Sequence, residues 1–402
     1  MQMIIANHVN TYLSENTAQQ AAKFWLSLYD ESSGGFRFAR HQPATLMATA
    51  YCVLGLELIQ SISELSSRQR DHIVDFLMKG SHADGSFKDS LFNKADIVSK
   101  KHELDYFKEE TTTFCQQALD ALSAPPPPAR FYSDNRNTVI GITQYLEAFS
   151  WENAWLDSNP VMFLLSQLCH DRERHGDESL SAVIDTALDW LDQNQSPTTG
   201  LWKGPYEVSL TNAMAATFHF TFFYFYRSRP INYAERIIDS CLSLQETHGL
   251  FSGNAVGQTC LDYDAIDLLA KASLLTRYRS VDVRDAMNKA SDALLTLSND
   301  DGGFVNCKQK IRHFNDRKHR LLRKVGLRRL VPASTRVKAE GDYTVCWKLL
   351  SCTASESNAF STWFRMVSLY LTQIGARSST MKPVPNFRSL PFLGYHTETT
   401  FL

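Results

Sequence analysis

Apolar and polar positions alternate along the chain in a repeating order of two kinds of segment. An amphipathic helical stretch ends in a polar turn, an aromatic residue closes the turn, and a second, more apolar helical stretch follows. The aromatic residue comes about ten residues after a recurring leucine of the first helix, which is Leu26, Leu77, Leu146, Leu191, Leu242 or Leu295 in the six copies. A unit of this kind is typical of proteins built from stacked helix pairs.

Five copies of the turn contain both a glycine and the aromatic residue, and a sixth copy lacks the glycine. The five are FWLSLYDESSGGFRF, DFLMKGSHADGSF, DWLDQNQSPTTGLW, SCLSLQETHGLF and ALLTLSNDDGGF, and the sixth is YLEAFSWENAW. The predicted turn aromatics are Phe36, Phe87, Trp155, Trp202, Phe251 and Phe304. The more apolar helices are predicted to begin near Gln42, Thr111, Asn159, Thr211, Cys260 and Asn358.

Six amphipathic helices that alternate with six apolar ones predict an all-α fold, an α6–α6 toroid with outer helices around an inner ring. Inner segments such as LMATAYCVLGLELI and ATFHFTFFYFY are apolar on every side, as expected of helices that are buried all round. An unrelated helical bundle and an open superhelix of helix pairs are the alternatives. Six similar units favour closure, because a closed ring leaves no exposed edge. Residues 1–402 are predicted to form one domain.

Two segments interrupt the repeat, and a third follows it. The polyproline stretch SAPPPPAR, residues 123–130, predicts a stiff spacer between the second and third pairs. A basic insertion spans about residues 305–350, before the last inner helix, and an extended C-terminal tail is expected over about residues 380–402. Residues 308–338 of the insertion contain twelve Lys or Arg and one acidic residue, a net charge of +11.

The charge of the basic segment indicates an anionic partner. An amphipathic basic helix on an anionic membrane surface is one interpretation, and a clamp for a diphosphate, an anionic glycan or another polyanion is a second. A solvated loop is the structural alternative. The chain has no motif of a nucleic-acid-binding fold, so no nucleic-acid partner is expected.

Composition and targeting signals predict a cytoplasmic protein, with peripheral membrane association if the basic segment binds lipid. Hydrophobic content of 44% and charged content of 21% are typical of soluble globular chains. The N-terminus has no basic region followed by an apolar core, so no signal peptide is predicted. No apolar run approaches the roughly 20 residues of a membrane-spanning helix. The eight cysteines contain no CxxC pair and are expected to be reduced.

Three aspartates, Asp262, Asp264 and Asp267, lie in the otherwise apolar stretch CLDYDAIDLLAKA. Helical spacing places Cys260, Asp264 and Asp267 on one face and Asp262 toward the other. In a structural interpretation, Asp262 is a negative charge favoured at the helix N-terminus, and Asp264 and Asp267 form ion pairs with Lys or Arg of adjacent helices. They also have a functional one, because a buried, unpaired carboxyl keeps its proton. A neutral Asp264 in an apolar cavity would be a general acid.

Other inner-helix residues are candidates for substrate binding. The fourth inner helix offers aromatic faces that stabilise cations, although ordinary core packing is the alternative. The predicted substrate-binding residues are Cys260, His219, Phe218, Phe222, Asn212, Trp363, Arg365 and Asn358. Alternatively, Arg365 does not bind substrate but forms an ion pair with one of the aspartates. Weaker candidates near inner-helix starts are His41, Glu110, Asn159 and Glu356.

These patterns resemble the superfamily of terpenoid cyclases and protein prenyltransferases, which are built on an α6–α6 toroid. The stretch WLDQNQSPTTGLW resembles the QW motif of the triterpene cyclases, with Gln195, Gly200 and Trp202 at its glutamine, glycine and tryptophan positions. The other copies resemble it loosely, with Phe in place of Trp. The triterpene cyclases have two domains, whereas this chain is predicted to have one toroid.

The aspartate cluster resembles the DxDD motif of class II cyclases, whose middle aspartate protonates an alkene or epoxide. Asp262 and Asp264 match the first and middle aspartates, and Ala265 replaces the last one. Asp267, one turn further on, is the residue that would compensate. The resemblance implies an isomerase that cyclises an isoprenoid, or another apolar small molecule, in an apolar cavity without a cofactor.

Other members of the toroid folds imply different chemistry. Zinc-dependent prenyltransferases use Asp, Cys and His ligands, for which this chain offers Cys260 and Asp262 in reversed order. A zinc or magnesium ion is therefore an open alternative to a metal-free site. Carbohydrate-active toroids place carboxylates at inner-helix ends and suggest an enzyme that acts on an anionic glycan. A non-catalytic binding or scaffold toroid is the third hypothesis, and it predicts that Arg or Lys engages every aspartate.

Overall fold

The computed structural model describes residues 15–97, 104–127, 129–132, 134–252, 257–307, 309–312, 335–338, 342–345, 347–376 and 390–395. Within these ranges, twelve α-helices alternate between outer and inner positions. The outer helices are α1 (Glu15–Ser27), α3 (Ser67–Met78), α5 (Val139–Ala148), α7 (Leu180–Asn194), α9 (Ala234–Leu244) and α11 (Ser280–Leu295). The inner helices are α2 (Leu46–Leu58), α4 (Leu104–Ala121), α6 (Ala154–His175), α8 (Leu210–Tyr226), α10 (Thr259–Leu275) and α12 (Ala359–Ala376).

The six inner helices form a closed ring. Each packs against the next one in the chain, from α2 through α4, α6, α8 and α10 to α12, and α12 also packs against α2. The closed α6–α6 toroid predicted from the repeat is therefore confirmed, and an open superhelix is excluded. Five inner helices begin within five residues of their predicted starts, whereas α4 begins at Leu104, seven residues before Thr111.

Burial distinguishes the two sets of helices as their sequences predict. In α8 every residue from Ala213 to Phe225 is buried, and in α12 every residue from Ala359 to Leu369 is buried. The outer helix α9 buries only one stripe, made of Ile237, Ile238, Ser240 and Cys241. The inner helices therefore form the core, and the outer helices cover it with one apolar face each.

The turn of each unit is fastened to the following inner helix through the backbone of its aromatic residue. In four units the aromatic N–H donates to a threonine hydroxyl on the inner helix, each at 2.9 Å: Phe36 to Thr49, Phe87 to Thr112, Trp202 to Thr217 and Phe304 to Thr362. In the fifth unit, the Phe251 N–H donates to the Asp262 carboxylate, also at 2.9 Å. Asp262 thus occupies the position at which four other units have threonine.

In the remaining unit the buried turn aromatic is Trp151, not Trp155 as predicted. Trp151 is 5% exposed, and its indole N–H donates to the Leu146 carbonyl at 3.3 Å. The Trp202 indole makes the same kind of bond to the Leu191 carbonyl, at 2.6 Å. Trp155 lies instead in the first turn of α6. The prediction was wrong because this copy lacks the glycine, and Trp151 itself takes the left-handed backbone conformation, with φ of 57°.

Among the residues that the structure describes, six short strands pair two by two between the helices. They are β1 (Phe36–Arg37) with β2 (Ala44–Thr45), β3 (Gln309–Arg312) with β4 (Thr335–Lys338), and β5 (Asp342–Thr344) with β6 (Ser351–Thr353), all antiparallel. Strands β3 and β4 belong to the basic segment, and Gln309 pairs with Lys338. These two stretches are strands, although the segment was also interpreted as a helix. The rest of residues 308–338 lies outside the described residues.

Part of the predicted C-terminal tail packs against the inner ring. Phe392 contacts Phe114 of α4, with ring centroids 5.0 Å apart, and Tyr395 lies 6.4 Å from Tyr226 of α8. Residues 390–395 are buried throughout. The remainder of the tail lies outside the described residues. None of the described helices is apolar enough over a sufficient length to cross a membrane.

Candidate functional site

The first three turns of α10 place Asp262, Asp264 and Asp267 in the protein interior. All three side chains are at most 1% exposed. A buried carboxylate without compensating groups is energetically costly, so each needs a partner or a retained proton. The structure gives the three carboxyl groups three different environments.

Asp262 is fully engaged by hydrogen bonds. One carboxylate oxygen accepts the backbone N–H groups of Phe251 and Ser252 at 2.9 and 3.0 Å. The other accepts the Gln258 N–H at 2.7 Å and the Arg365 guanidinium at 2.8 Å. Arg365 also donates to the Asn306 carbonyl at 2.8 Å. The contacts of Asp262 hold the start of α10 against the turn and against α12.

The turn before α10 leaves no space beside this ion pair. Gly257 has φ of 82°, and a Cβ atom there would lie 3.0 Å from the Asp262 carboxylate and 2.6 Å from the Leu250 side chain. Glycine therefore meets both a steric and a conformational requirement at this position.

Asp267 is paired with Lys271, one helical turn further on. The Lys271 ammonium lies 2.7 Å from the Asp267 carboxylate, and the Thr221 hydroxyl of α8 donates to the same oxygen at 3.4 Å. Lys271 also lies 5.2 Å from the centre of the Phe222 ring. Burial raises the pKa of Asp267 and lowers that of Lys271, and each partner opposes the shift of the other.

Asp264 differs from its neighbours, because no described residue forms a hydrogen bond or ion pair with its carboxyl group. Its Oδ2 atom is buried and has no hydrogen-bond partner within the described ranges. Burial raises the pKa of Asp264 well above its usual range, and the charges of Asp267 and Asp262 raise it further. Both effects favour the protonated, neutral form of this carboxyl group.

Aromatic rings from five inner helices pack into one continuous network, which includes Tyr263, the residue before Asp264. Phe114 of α4 contacts Trp363 of α12 at 5.8 Å, although α2 separates these helices in the ring, so the two rings meet inside it. The other contacts are Tyr51–Phe114 at 5.2 Å, Tyr51–Trp363 at 5.9 Å, Trp363–Phe364 at 5.0 Å, Tyr263–Phe364 at 4.9 Å and Phe218–Tyr263 at 5.0 Å. The rings that meet inside the ring of helices are thus predominantly those of Phe, Tyr and Trp.

The predicted residues of α8 lie on two sides of this helix. Phe218 belongs to the aromatic network, and Phe222 packs against Phe223 and Lys271. His219 lies against α6, where its Nδ1 atom is 2.7 Å from the Ser158 hydroxyl. Burial lowers the pKa of His219 to about 3, so its imidazole is neutral at pH 7.

Asn212 and Asn358 make structural contacts at helix starts. The Asn212 amide donates to Asn153 at 2.7 Å, and its oxygen accepts the Trp155 N–H at 3.3 Å, which ties α8 to α6. The Asn358 oxygen accepts the Ser361 N–H at 2.8 Å and caps α12. Both side chains therefore have partners within the protein.

The other three predicted substrate-binding residues lie in α10 and α12. Trp363 stacks on Tyr51 inside the ring. Arg365 pairs with Asp262, which was the alternative left open by the sequence. Cys260 is half-buried in the first turn of α10.

Two further polar groups, Glu110 and Tyr343, are partly buried, and the sequence analysis gave them little weight or none. Glu110 precedes Phe114 by one helical turn on α4, and burial raises its pKa to about 8. Tyr343 of β5 interacts with Ser361, and burial raises its pKa well above the usual range. Glu110 was detectable as a polar residue near an inner-helix start. Tyr343 was not, because its segment lies outside the repeat.

A metal site at Cys260 and Asp262 does not fit the structure. Both oxygens of Asp262 are occupied by N–H donors, and Arg365 brings a positive charge to the place that a cation would need. In the part of the chain that the structure describes, one group of side chains is arranged to hold a metal ion: His170, Asp171 and His175, near the end of α6.

Comparison with known protein families shows the family to which the chain belongs. The model of the prenyltransferase alpha-alpha toroid domain matches residues 4–124 and 163–314, more than half of the sequence. The chain belongs to this prenyltransferase alpha-alpha toroid family. The resemblance to the terpenoid cyclase and prenyltransferase superfamily is therefore confirmed. No curated protein matches this member of the family.

Solved structures similar to this toroid include terpene cyclases. The apo type II terpene cyclase MstE from Scytonema is 15% identical with a TM-score of 0.44, over 72% of this chain and 81% of the cyclase. A variant of that cyclase in complex with geranylgeranyl dihydroxybenzoate is 14% identical with a TM-score of 0.45, over 90% and 96%. The ent-copalyl diphosphate synthase from Streptomyces platensis is 16% identical with a TM-score of 0.40, over 83% of this chain and 50% of the synthase.

Proposed function

We propose that this toroid is a class II terpene cyclase-like isomerase in which Asp264 protonates an isoprenoid. The observation that carries the proposal is the buried Asp264 carboxyl group, which has a raised pKa and no partner among the described residues. We infer that this group holds a proton at pH 7, and no described residue competes for that proton at its Oδ2 atom. Asp262 and Asp267 are assigned to other roles, because Arg365 and Lys271 engage them.

The proposed reaction begins with proton transfer from Asp264 to a terminal alkene or epoxide. The new C–H or O–H bond leaves a carbocation, which neighbouring double bonds attack in turn to close rings. Loss of a proton from the last cation completes an isomerisation in which no atom is gained or lost. The Asp264 carboxylate and the cation attract each other strongly, because the site has a low dielectric constant.

The aromatic network supports an isoprenoid as the substrate. Phe114, Tyr51, Trp363, Tyr263 and Phe218 offer apolar surface to a hydrocarbon chain and negative π faces to a cation. A glycan would require polar groups and water in the same place. The aromatic character of the described interior therefore favours the cyclase over the carbohydrate-active alternative. The scaffold alternative requires partners for all three aspartates, and Asp264 has none among the described residues.

Incubation of the full chain with polyprenoids of increasing length tests the proposed function. A geranylgeranylated arene is a suitable first compound, together with free isoprenoid alcohols and their epoxides. We expect a product of unchanged mass with fewer alkene protons in its NMR spectrum. In D2O the product should contain one deuterium on carbon for each alkene protonated. Recovery of every compound unchanged would contradict the proposal.

We also propose that the basic segment, residues 308–338, contacts an anionic membrane surface from which an isoprenoid is taken up. Its net charge of +11 supports this, since each basic residue near such a surface contributes about 1 kcal/mol. We expect the protein to sediment with phosphatidylserine vesicles at low salt and to be released at high salt. Binding to neutral vesicles that equals binding to anionic ones would overturn this role.

A further inference from the structure

The last two turns of α6 bring three metal-ligating side chains together. The Asp171 carboxylate lies 3.6 Å from Nδ1 of His170 and 3.8 Å from Nε2 of His175. One ligand atom from each residue lies within 4.8 Å of the other two. The cluster is remote from Asp264. Helices α6 and α8 run parallel, because Asn212 contacts Asn153 at their starts and Tyr226 contacts Arg172 at their ends. Helices α8 and α10 also run parallel, because Phe218 contacts Tyr263 and Phe222 contacts Lys271 further along. Asp264 lies in the second turn of α10, toward the opposite end of these helices from the cluster.

One nitrogen atom of the cluster lacks the hydrogen-bond partner that a buried polar group needs. His170 is 2% exposed and Asp171 is 3% exposed, and the His170 Nδ1 atom has no hydrogen-bond partner within the described ranges. In those ranges no Lys or Arg lies within ion-pairing distance of Asp171, whose pairs are with the two histidines. An acceptor-only carboxylate beside an unbonded imidazole nitrogen requires a cation or a costly desolvation.

Nearby arginines do not supply that cation, because other acids hold them. Arg130 pairs with Asp177 at 2.6 Å, Arg172 pairs with Glu178 at 2.8 Å, and Arg174 pairs with Asp120. Three guanidinium groups thus surround the cluster and leave Asp171 to the two histidines.

We propose that His170, Asp171 and His175 bind one divalent transition-metal ion, with zinc as the best fit. Two imidazoles and a carboxylate are ligands that zinc accepts, whereas magnesium prefers oxygen alone. Ligand atoms about 2.0–2.2 Å from a tetrahedral ion are roughly 3.4 Å apart. The observed separations of 3.6 and 3.8 Å are close to this value, so small side-chain rotations would complete the site.

The position of the site gives the ion a structural role. His175 is the last residue of α6, and Gly176 follows with φ of 66°, where the chain turns toward α7. An ion held there would fasten the last turn of an inner helix and prevent its fraying. It would also leave one coordination position for water on the side of His175, whose side chain is 20% exposed. The reaction proposed for Asp264 does not involve this site.

Metal analysis and zinc titration of the full chain test the site. We expect one equivalent of zinc per chain after dialysis against zinc and then buffer, and a higher melting temperature than after treatment with a chelator. Asp171→Asn and His175→Gln should each weaken zinc binding at least tenfold and abolish the shift in melting temperature. Asp71→Asn removes a negative charge from the exposed face of α3, outside the cluster and its arginine neighbours, and should bind zinc as the parent does.

Cobalt substitution distinguishes metal bound at this site from metal bound by cysteine thiolates. The visible spectrum of the cobalt protein should indicate nitrogen and oxygen ligands and lack the near-ultraviolet charge-transfer band of thiolate. Circular dichroism verifies that both variants are folded, and His175→Gln, at a partly exposed position, is the milder change. A thiolate band, zinc binding unchanged in both folded variants, or less than a tenth of an equivalent of bound metal would overturn the proposal.

Discussion

Replacing Arg365 with methionine should lower the free energy of unfolding by about 3–5 kcal/mol. Arg365 and Asp262 are both fully buried and lie 2.8 Å apart, so removal of one partner leaves an uncompensated charge in the core. Methionine fills most of the volume, which separates the loss of charge from the creation of a cavity. Denaturant unfolding of parent and variant measures the change, and the slope of the transition tests whether both unfold in the same way.

Asp262→Thr is the second substitution of a double-mutant cycle with Arg365→Met. The choice of threonine follows from the internal repeat. Four other units use threonine to accept the N–H of the turn aromatic and need no counter-charge at that position. The double variant Asp262→Thr with Arg365→Met should therefore be more stable than Arg365→Met alone, with a coupling energy of about 2–3 kcal/mol. Single effects that add within about 0.5 kcal/mol would contradict this structural role of Asp262.

Replacing Asp264 with asparagine should abolish the proposed cyclisation, with a loss of at least about 100-fold in rate. Asparagine has nearly the same shape as protonated aspartic acid but offers no transferable proton. Asp71→Asn, on the exposed face of α3, is the matched control for an Asp-to-Asn change and should leave the rate unaffected. Rates of product formation under single-turnover conditions isolate the chemical step from product release. An Asp264→Asn enzyme as active as the parent would exclude Asp264 as the acid.

The same variant should be more stable than the parent at neutral pH. The pKa of Asp264 is raised in the folded protein, so its contribution to stability is fully present below the unfolded pKa of about 4 and is lost as the pH rises toward the folded pKa. Asparagine does not titrate. The stability advantage of Asp264→Asn should therefore increase by about 1.4 kcal/mol per pH unit over that window. A constant difference between pH 4 and pH 8 would contradict a neutral, buried carboxyl group.

The architecture was accessible from the sequence because it depends on short-range pattern. Helix periodicity and the recurring turn aromatics are visible within each unit, and six similar units imply closure. Trp151 was missed because this copy of the turn has no glycine and reaches the same packing position with a different backbone conformation. Pattern alone did not distinguish it from Trp155, four residues later.

The location of the candidate site followed from the sequence, but the states of its three acids did not. The partner of Asp262 is distant in the chain, since Arg365 is 103 residues away. The ion-pair partner of Asp267, Lys271, is only one helical turn away, but the Thr221 hydroxyl that also contacts Asp267 is 46 residues away. The sequence also did not reveal that Asp262 occupies the position of the threonine in four other units. The number of residues between the turn aromatic and the side chain that accepts its N–H ranges from 11 at Phe251 to 58 at Phe304. Only the folded ring brings these groups together.

The protonation state of Asp264 is the central claim, and infrared spectroscopy measures it without a substrate. A protonated carboxyl group has a carbonyl stretch that an ionised carboxylate lacks, and this band shifts in D2O. The difference spectrum of the parent and Asp264→Asn at pH 7 should contain one such band. Glu110, whose pKa is about 8, is common to both proteins and cancels. A difference spectrum with carboxylate bands and no protonated carbonyl band would show that Asp264 is ionised, and the proposed acid would be lost.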